Sequence, residues 1–425
     1  MVATLFLVWI ALVIIGVPIV VALGLSSVIA LVTQGDIPIA LISQRMFTAM
    51  DSFPLLALPL FLLAGKLMET GGISIRLVNF ASTLVGHIRA GFAMISVVTS
   101  MFFAGISGSA VADTAAIGSI LIPSMVKEGY DRDYAASVQA TAGSIGVIIP
   151  PSVPMVVYSL VGGVSVSKMF LGGFIPGLLS GLSLMVVSYI IGKKKGYEGG
   201  QRATLKQQWV SFKEALLALM MPVIILGGVM FGIFTPTEAA VIAVAYAFLI
   251  GVFVYKDLKI MDIPHILLDS VRDSAVIMVI IGTASLFGWL LTSEGFPQML
   301  GEMLFSISKN PTIILLIINV MLLIVGTFME TNAAIIMLAP IFLPIIQEAG
   351  IDPVFFGIVM VVNLAIGMCT PPVGVCLFVT SKIAQRSIKD VTKTVLPFLL
   401  AMIIVLILIT VFPQLVMYFP NAFMK

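Results

Sequence analysis

The sequence predicts an all-α polytopic membrane protein made of two inverted repeats, each with a re-entrant helical hairpin and a broken helix. Three observations lead there. Hydrophobic residues make up 60% of the 425 residues and charged residues 10%, with a mean hydropathy of +1.19; a soluble domain carries about 25% charged residues. Apolar stretches of roughly 20 residues recur, the length a helix needs to cross a ~30 Å hydrocarbon core. The glycines and prolines that interrupt these stretches recur at a fixed spacing.

The elements follow in chain order. Residues 5–32 form the first apolar stretch, in which Gly16 and Pro18 mark either a kink or a turn. No basic region followed by a small-residue cleavage site precedes it, so it is expected to be a helix and not a removed signal. Further spans are predicted at 178–192, 212–234, 239–255 and 395–412. Membrane-barrel strands alternate apolar and polar residues. The run 399–411 does not, so the spans are helical.

Two segments are too interrupted for one helix. Residues 91–104 and 114–126 flank Gly105-Ile106-Ser107-Gly108-Ser109. Each arm has about 14 residues, or ~21 Å, too short to span. A hairpin over 91–128 with its tip at mid-membrane is predicted. Residues 313–325 and 333–347 around 326–332 predict a second hairpin over 313–348. Bare backbone at that depth is tolerated only when it is buried in protein or lines a wet cavity. A crossing with a break follows each hairpin, at 144–152 and at 365–373.

The halves align at a shift of 221 residues. Pro123 meets Pro344, Gly129 meets Gly350, Asp131 meets Asp352, and Gly146 meets Gly367. Pro150–Pro151 meets Pro371–Pro372, and Pro176 meets Pro397. A shift of 223 brings Gly65 onto Gly288 and Gly72 onto Gly295. In an apolar alphabet, matched helix breakers carry more information than matched leucines. Residues 1–192 are therefore the first inverted repeat, 193–211 a cytoplasmic connector, and 212–425 the second repeat. Corresponding interrupted helices in two repeats are the best sequence pointer to a transport site.

Charge sets orientation and excludes other classes. Seventeen of the 22 basic residues fall in one set of alternate loops, which the positive-inside rule makes cytoplasmic. Arg45, Lys66, Lys168, Lys309 and Lys425 remain. About ten crossings with both termini periplasmic are expected. The net charge of +2 argues for no nucleic acid partner. Cys369 and Cys376 suggest no disulfide framework, and His87 and His265 make no zinc motif. An intramembrane hydrolase needs a Ser–His pair or paired aspartates; both histidines fall in cytoplasmic regions and Asp113 has no aspartate partner, so an enzyme is not expected.

At the first break, Pro151 removes a backbone donor and Pro150 disfavours helix before it. The carbonyls of Gly146, Ile149, Gly367 and Thr370 are then expected to lack helical partners. Free carbonyls and hydroxyls suit Na⁺, a hard cation that prefers oxygen, and arriving helix ends carry partial negative charge. Helices resuming near 110–113 and 331–332 aim positive N-termini at the same level, which suits a carboxylate. Other readings stand beside these. Ser107-Gly108-Ser109 also fits close helix packing. Asp113 and Glu330 also fit helix capping, with Thr327-x-x-Glu330 as a capping box. Thr235-Pro236-Thr237-Glu238 is a helix start, and Lys66 with Glu69 an end-of-helix pair, or Lys66 snorkels.

Five stretches together resemble the large membrane (M) subunit of TRAP (tripartite ATP-independent periplasmic) transporters, over essentially the whole chain. They are Ser52-Phe53-Pro54-Leu55-Leu56-Ala57-Leu58-Pro59-Leu60-Phe61, Gly105-Ile106-Ser107-Gly108-Ser109-Ala110-Val111-Ala112-Asp113, Phe234-Thr235-Pro236-Thr237-Glu238-Ala239-Ala240, and both Pro-Pro breaks. The resemblance implies sodium-coupled import of an organic acid, such as a sialic acid or a C4-dicarboxylate, across the bacterial inner membrane. It implies an elevator-type scaffold plus a transport domain that carries both hairpins. A periplasmic substrate-binding protein would deliver the acid, and a small four-helix membrane subunit, expected here as a separate chain, would brace the scaffold within the membrane lipid. By motif, one sodium site would use Ser107, Ser109, Gly146, Ile149 and Pro151, and a second Gly326, Thr331, Gly367, Thr370 and Pro372. The substrate would lie near Ser109, Asp113, Ser152, Glu330 and Asn332, and small polar side chains there lean toward a sialic acid. A stand-alone sodium–dicarboxylate elevator transporter, working without a receptor, is the alternative; a channel would lack a saturable cycle.

Overall fold

The computed structural model describes residues 1–34 and 38–424, in which twenty α-helices follow one another and no strand occurs. The chain is an all-α polytopic membrane protein. Helices α1 (Val2–Ile14) and α2 (Ile19–Gln34) pack along each other, so the Gly16–Pro18 interruption is a turn and not a kink. Helix α3 (Ala40–Met50) and a short 3-10 turn lead into α4 (Ala57–Thr70), from which α5 (Ile73–Val85) departs at 69°. The first hairpin is α6 (Gly91–Ser107) and α7 (Ala110–Lys127). The broken helix after it is α8 (Arg132–Ser144) and α9 (Val153–Gly162), and α10 (Val166–Lys195) closes the half.

The second half starts at α11 (Leu205–Met230), opened by a reciprocal capping box between Thr204 and Gln207. Helix α12 (Pro236–Leu249) begins at the predicted start signal: Thr235 Oγ1 accepts from the Glu238 N–H, and Glu238 accepts from the Thr235 N–H at 2.8 Å. Then come α13 (Ile263–Ser293) and α14 (Phe296–Ile307). The second hairpin is α15 (Pro311–Gly326) and α16 (Thr331–Glu348), followed by the broken helix α17 (Pro353–Gly367) and α18 (Val375–Ala384). Helices α19 (Ile388–Val411) and α20 (Pro413–Phe423) end the described chain.

Helix boundaries recur at the spacing of the prolines. Helices α7 and α16 begin at Ala110 and Thr331 and end at Lys127 and Glu348, 221 residues apart at both ends. Helices α8 and α17 begin at Arg132 and Pro353, again 221 apart. Both α5 and α14 follow a left-handed glycine, Gly72 and Gly295.

Three expectations change. The hairpin arms are longer than 14 residues: α6 has 17, α15 has 16, and α7 and α16 have 18 each. Gly105 to Ser107 stay helical because the helix packs closely there; a methyl group on Gly105 would lie 2.9 Å from Pro222. Eighteen residues make ~27 Å, close to the ~30 Å hydrocarbon core, so length alone does not bar these arms from spanning. The connector shrinks to 196–204, since the lysines at 193–195 complete α10, where cations suit the C-terminal dipole. It is docked, with the Gly200 N–H on the Gly86 carbonyl at 2.9 Å and the Ala90 N–H on the Tyr197 carbonyl at 3.1 Å. Finally, Lys66, expected as an end-of-helix partner of Glu69 or as a snorkelling side chain, pairs with Asp273 of α13. Lys425 lies outside the described residues.

Among the described residues, seven helices are long and apolar enough to cross a membrane, α7 and α16 included. The broken helices fail that test because each is two short pieces. Large apolar side chains face outward at helical spacing: Leu178, Leu182 and Val186 on α10, and Leu396, Leu400 and Ile404 on α19. Water would penalise such faces; lipid accepts them. Inside, α7, α8 and α18 pack together, and α13 lies against α16, α2, α3 and α4.

Candidate functional site

Each hairpin tip meets the break of the following helix. At the first, Gly108 takes a left-handed conformation (φ 62°), and a methyl group on it would lie 2.8 Å from the Pro151 carbonyl oxygen. The Val153 N–H donates to the Gly108 carbonyl at 3.3 Å. At the second, the Gly326 and Gly367 backbones touch. Both proline pairs lie outside helix and are joined by cis peptide bonds.

The carbonyls of Gly146, Ile149 and Thr370 accept no hydrogen bond from the described residues. The Gly367 carbonyl departs from expectation, because it accepts the Thr370 N–H at 2.9 Å in a tight turn. The Thr370 hydroxyl donates to the Ile366 carbonyl at 2.7 Å. Around the first break, Ser107 Oγ donates to Asp113 Oδ1 and accepts the Ser109 N–H at 3.1 Å. Asp113 is fully buried, and its Oδ2 has no hydrogen-bond partner among the described residues and faces Gly146. At the second tip, Thr331 Oγ1 is likewise buried without a partner among the described residues. Pro151 is buried whereas Pro372 is exposed, so the second break opens on one side where the first does not.

Capping agrees with expectation at Glu330 and departs from it at Asp113 and Thr327. Ser109, not Asp113, caps α7, accepting from the Ala112 N–H. Glu330 caps α16 directly, accepting from the Ala333 N–H at 3.1 Å, so no capping box runs from Thr327. Thr327 donates to the Ile324 carbonyl instead. Ser152 caps α9 and donates to the Val147 carbonyl at 2.6 Å.

Both tips open on one cavity of about 490 Å³. Ser109 and the start of α7 line it from one side, and Glu330, Thr331 and Asn332 at the start of α16 from another. Two helix N-termini therefore present partial positive charge to the same space. Asn332 Nδ2 donates to Glu330 Oε1 at 2.8 Å, while its Oδ1 has no partner among the described residues. Of the residues expected around the substrate, Ser109, Glu330 and Asn332 are brought together; Asp113 and Ser152 are not on the cavity wall.

The facing wall was missed from sequence. Leu62, Lys66 and Glu69 of α4 line it, together with Asp273, Val276, Ile277 and Ile280 of α13. Lys66 Nζ and Asp273 Oδ2 are 2.5 Å apart. The available signal was an ionisable residue inside an apolar stretch, which marks function more often than packing.

Known proteins share this arrangement of sequence and helices. The family model described as "Tripartite ATP-independent periplasmic transporter, DctM component" matches residues 6–415. An isethionate TRAP transporter permease protein (DctMQ) of Oleidesulfovibrio alaskensis is 46% identical over 96% of this chain, and this chain spans 64% of its length. A sialic acid TRAP transporter large permease protein (SiaM) of Vibrio cholerae is 41% identical over 98% of this chain and 97% of its own. A C4-dicarboxylate TRAP transporter large permease protein (DctM) of Rhodobacter capsulatus is 40% identical over 97% of both. The solved YdaH transporter of Alcanivorax borkumensis shares the fold at TM-score 0.64 and 14% identity, over 87% of this chain and 86% of its own.

Proposed function

The chain belongs to the DctM component family of tripartite ATP-independent periplasmic transporters, and from that premise we propose that it imports an organic acid across the inner membrane, driven by sodium. It is a multi-pass inner-membrane protein and not an enzyme. One observation carries the rest: two hairpin tips share a cavity, and each is backed by a helix break where a carbonyl has no partner among the described residues, Gly146 and Ile149 at the first and Thr370 at the second.

The first sodium ion would take oxygens from Ser107, Ser109, Gly146, Ile149 and Pro151, with the unpaired Asp113 carboxylate oxygen adding charge beside it. The second would use Gly326, Thr331, Thr370 and Pro372, with Gly367 closing the turn. The organic acid would lie in the cavity between Ser109, Glu330 and Asn332, its acid group toward the helix N-termini. Small organic anions are the substrate class shared by the names of the three relatives. A periplasmic substrate-binding protein and a small membrane subunit would complete the system. Movement is of the elevator type: hairpins and broken helices slide as one body past α4 and α13, with both termini in the periplasm.

The energetics suffice. A tenfold sodium gradient supplies about 1.4 kcal/mol per ion, or roughly 2.8 kcal/mol for two. One net positive charge carried inward adds ~2.3 kcal/mol at 100 mV. Together these support accumulation on the order of 10³–10⁴-fold. The test is uptake into proteoliposomes holding this chain with its small subunit and binding protein. Uptake should stop when the sodium gradient is removed; uptake that continues unchanged overturns the sodium coupling.

A further inference from the structure

We infer that Lys66 is the specificity-determining cation for the substrate's acid group, and that Asp273 is the competitor that group displaces. The inference rests on the functional reading above and deepens it. The cavity walls carry three carboxylates, those of Glu69, Asp273 and Glu330, and among the described residues lining it Lys66 is the one cation. An anion entering this space meets three carboxyl groups and one ammonium. The helix N-termini add only partial charges, about half a unit each. A full positive charge is present, but it is already engaged.

Geometry shows that the engagement is exchangeable. Lys66 and Asp273 stand on different helices, α4 and α13, in direct contact at 2.5 Å. The Lys66 side chain is 26% exposed and the Asp273 side chain 56%. The pair therefore opens into the cavity and is not sealed in protein, where desolvation would lock it. Positions 62, 66 and 69 form one face of α4, and 273, 276, 277 and 280 one face of α13; both faces line the cavity. Gly65, next to Lys66, packs on Ser107 at the first tip, where a methyl group on the glycine would lie 3.3 Å from the Ser107 Cα. A carboxylate or sulfonate leaving the tips thus finds Lys66 on the adjacent wall. It replaces Asp273 as the partner of the ammonium, and no charge is left buried and unpaired at any stage.

A simple clasp between α4 and α13 makes the opposite prediction. If the pair only held helices together, loss of either member would act alike. If Asp273 competes, its removal frees Lys66. The experiment measures uptake at saturating sodium by the reconstituted system with its partner subunits. Isethionate, succinate and N-acetylneuraminate are the probes, and melting temperature is followed alongside. Asp273→Asn should lower KM about three- to fivefold, the scale of an exposed ion pair, and slow turnover through delayed release. Lys66→Gln should raise KM about tenfold or more, and Lys66→Arg should restore it. If Lys66→Gln does not fold, the Lys66→Gln/Asp273→Asn double variant leaves no lone charge and should still show the raised KM. Wild-type uptake with KM moving in parallel, or not at all, in Asp273→Asn and Lys66→Gln overturns this inference alone. Wild-type uptake of none of the three probes overturns the functional reading and the inference with it.

Discussion

Gly326 and Gly367 lie backbone against backbone: a methyl group on Gly367 would come within 2.7 Å of the Gly326 Cα and carbonyl oxygen. This contact joins the second hairpin tip to the end of α17, and it holds two parts of the proposed second sodium site together. Adding a methyl to a packed contact costs about 1–3 kcal/mol. Gly367→Ala should therefore push the tip off the break. The half-saturating sodium concentration for uptake should rise by about tenfold, since that cost converts to a factor of this order. An unchanged sodium curve would show that the contact does not organise the site.

Asp113 gives a second test, because the structure turns it away from the cavity and toward Gly146. Asp113→Asn keeps a partner for the Ser107 hydroxyl and removes the charge. Sodium affinity should fall about tenfold or more, the scale of losing a charged partner, while substrate KM at saturating sodium stays near wild type. The reverse pattern in a titration of both would put Asp113 on the substrate instead.

Thr331 tests the second site without any uptake measurement. Its hydroxyl is buried and unpaired among the described residues, and an unsatisfied buried group costs about 1–3 kcal/mol. Thr331→Val replaces the hydroxyl with a methyl of similar size. The variant should melt higher than wild type in sodium-free buffer and should lose part of the stabilisation that added sodium gives wild type. A full sodium response in the variant would remove Thr331 from the site.

At the end of α10, the Lys195 ammonium bonded to Asp131 holds that carboxyl below the usual carboxylate value of 3.8. A carboxylate with a depressed folded pKa stabilises fully above its unfolded pKa and loses this as pH falls through the folded one. The pair is exposed, so its worth is below about 1 kcal/mol. The melting temperature of wild type should exceed that of Asp131→Asn by a constant margin above about pH 5. The margin should close as pH drops below 3.8. A margin that widens on acidification would contradict the assignment.

Much of this was legible in the sequence because the decisive residues act locally. Pro150–Pro151 and Pro371–Pro372 break whatever helix contains them, wherever it packs. Thr235 and Glu238 cap α12 through bonds spanning three residues. The 221-residue shift read from prolines reappears in the ends of α7 and α16 for the same reason. The length of the arms was not legible, since Gly105 to Ser107 look like a break in sequence, yet α6 continues through them with Gly105 packed on Pro222. Capping at the tips was legible in part: Glu330 caps α16 as its position suggested, whereas Ser109 took the role from Asp113 at α7.

What the sequence determined by itself is therefore a helical membrane protein and the two proline pairs at which its helices break. Only the tertiary structure decided which backbone and side-chain oxygens share a space, that Asp113 faces Gly146, and that Lys66 meets Asp273 on the cavity wall. The physical reason is range. Helix breaking and capping are settled within one turn of chain, whereas charge partners on α4 and α13 are chosen by how apolar helices dock, and a run of leucine, isoleucine and valine does not say which face meets which.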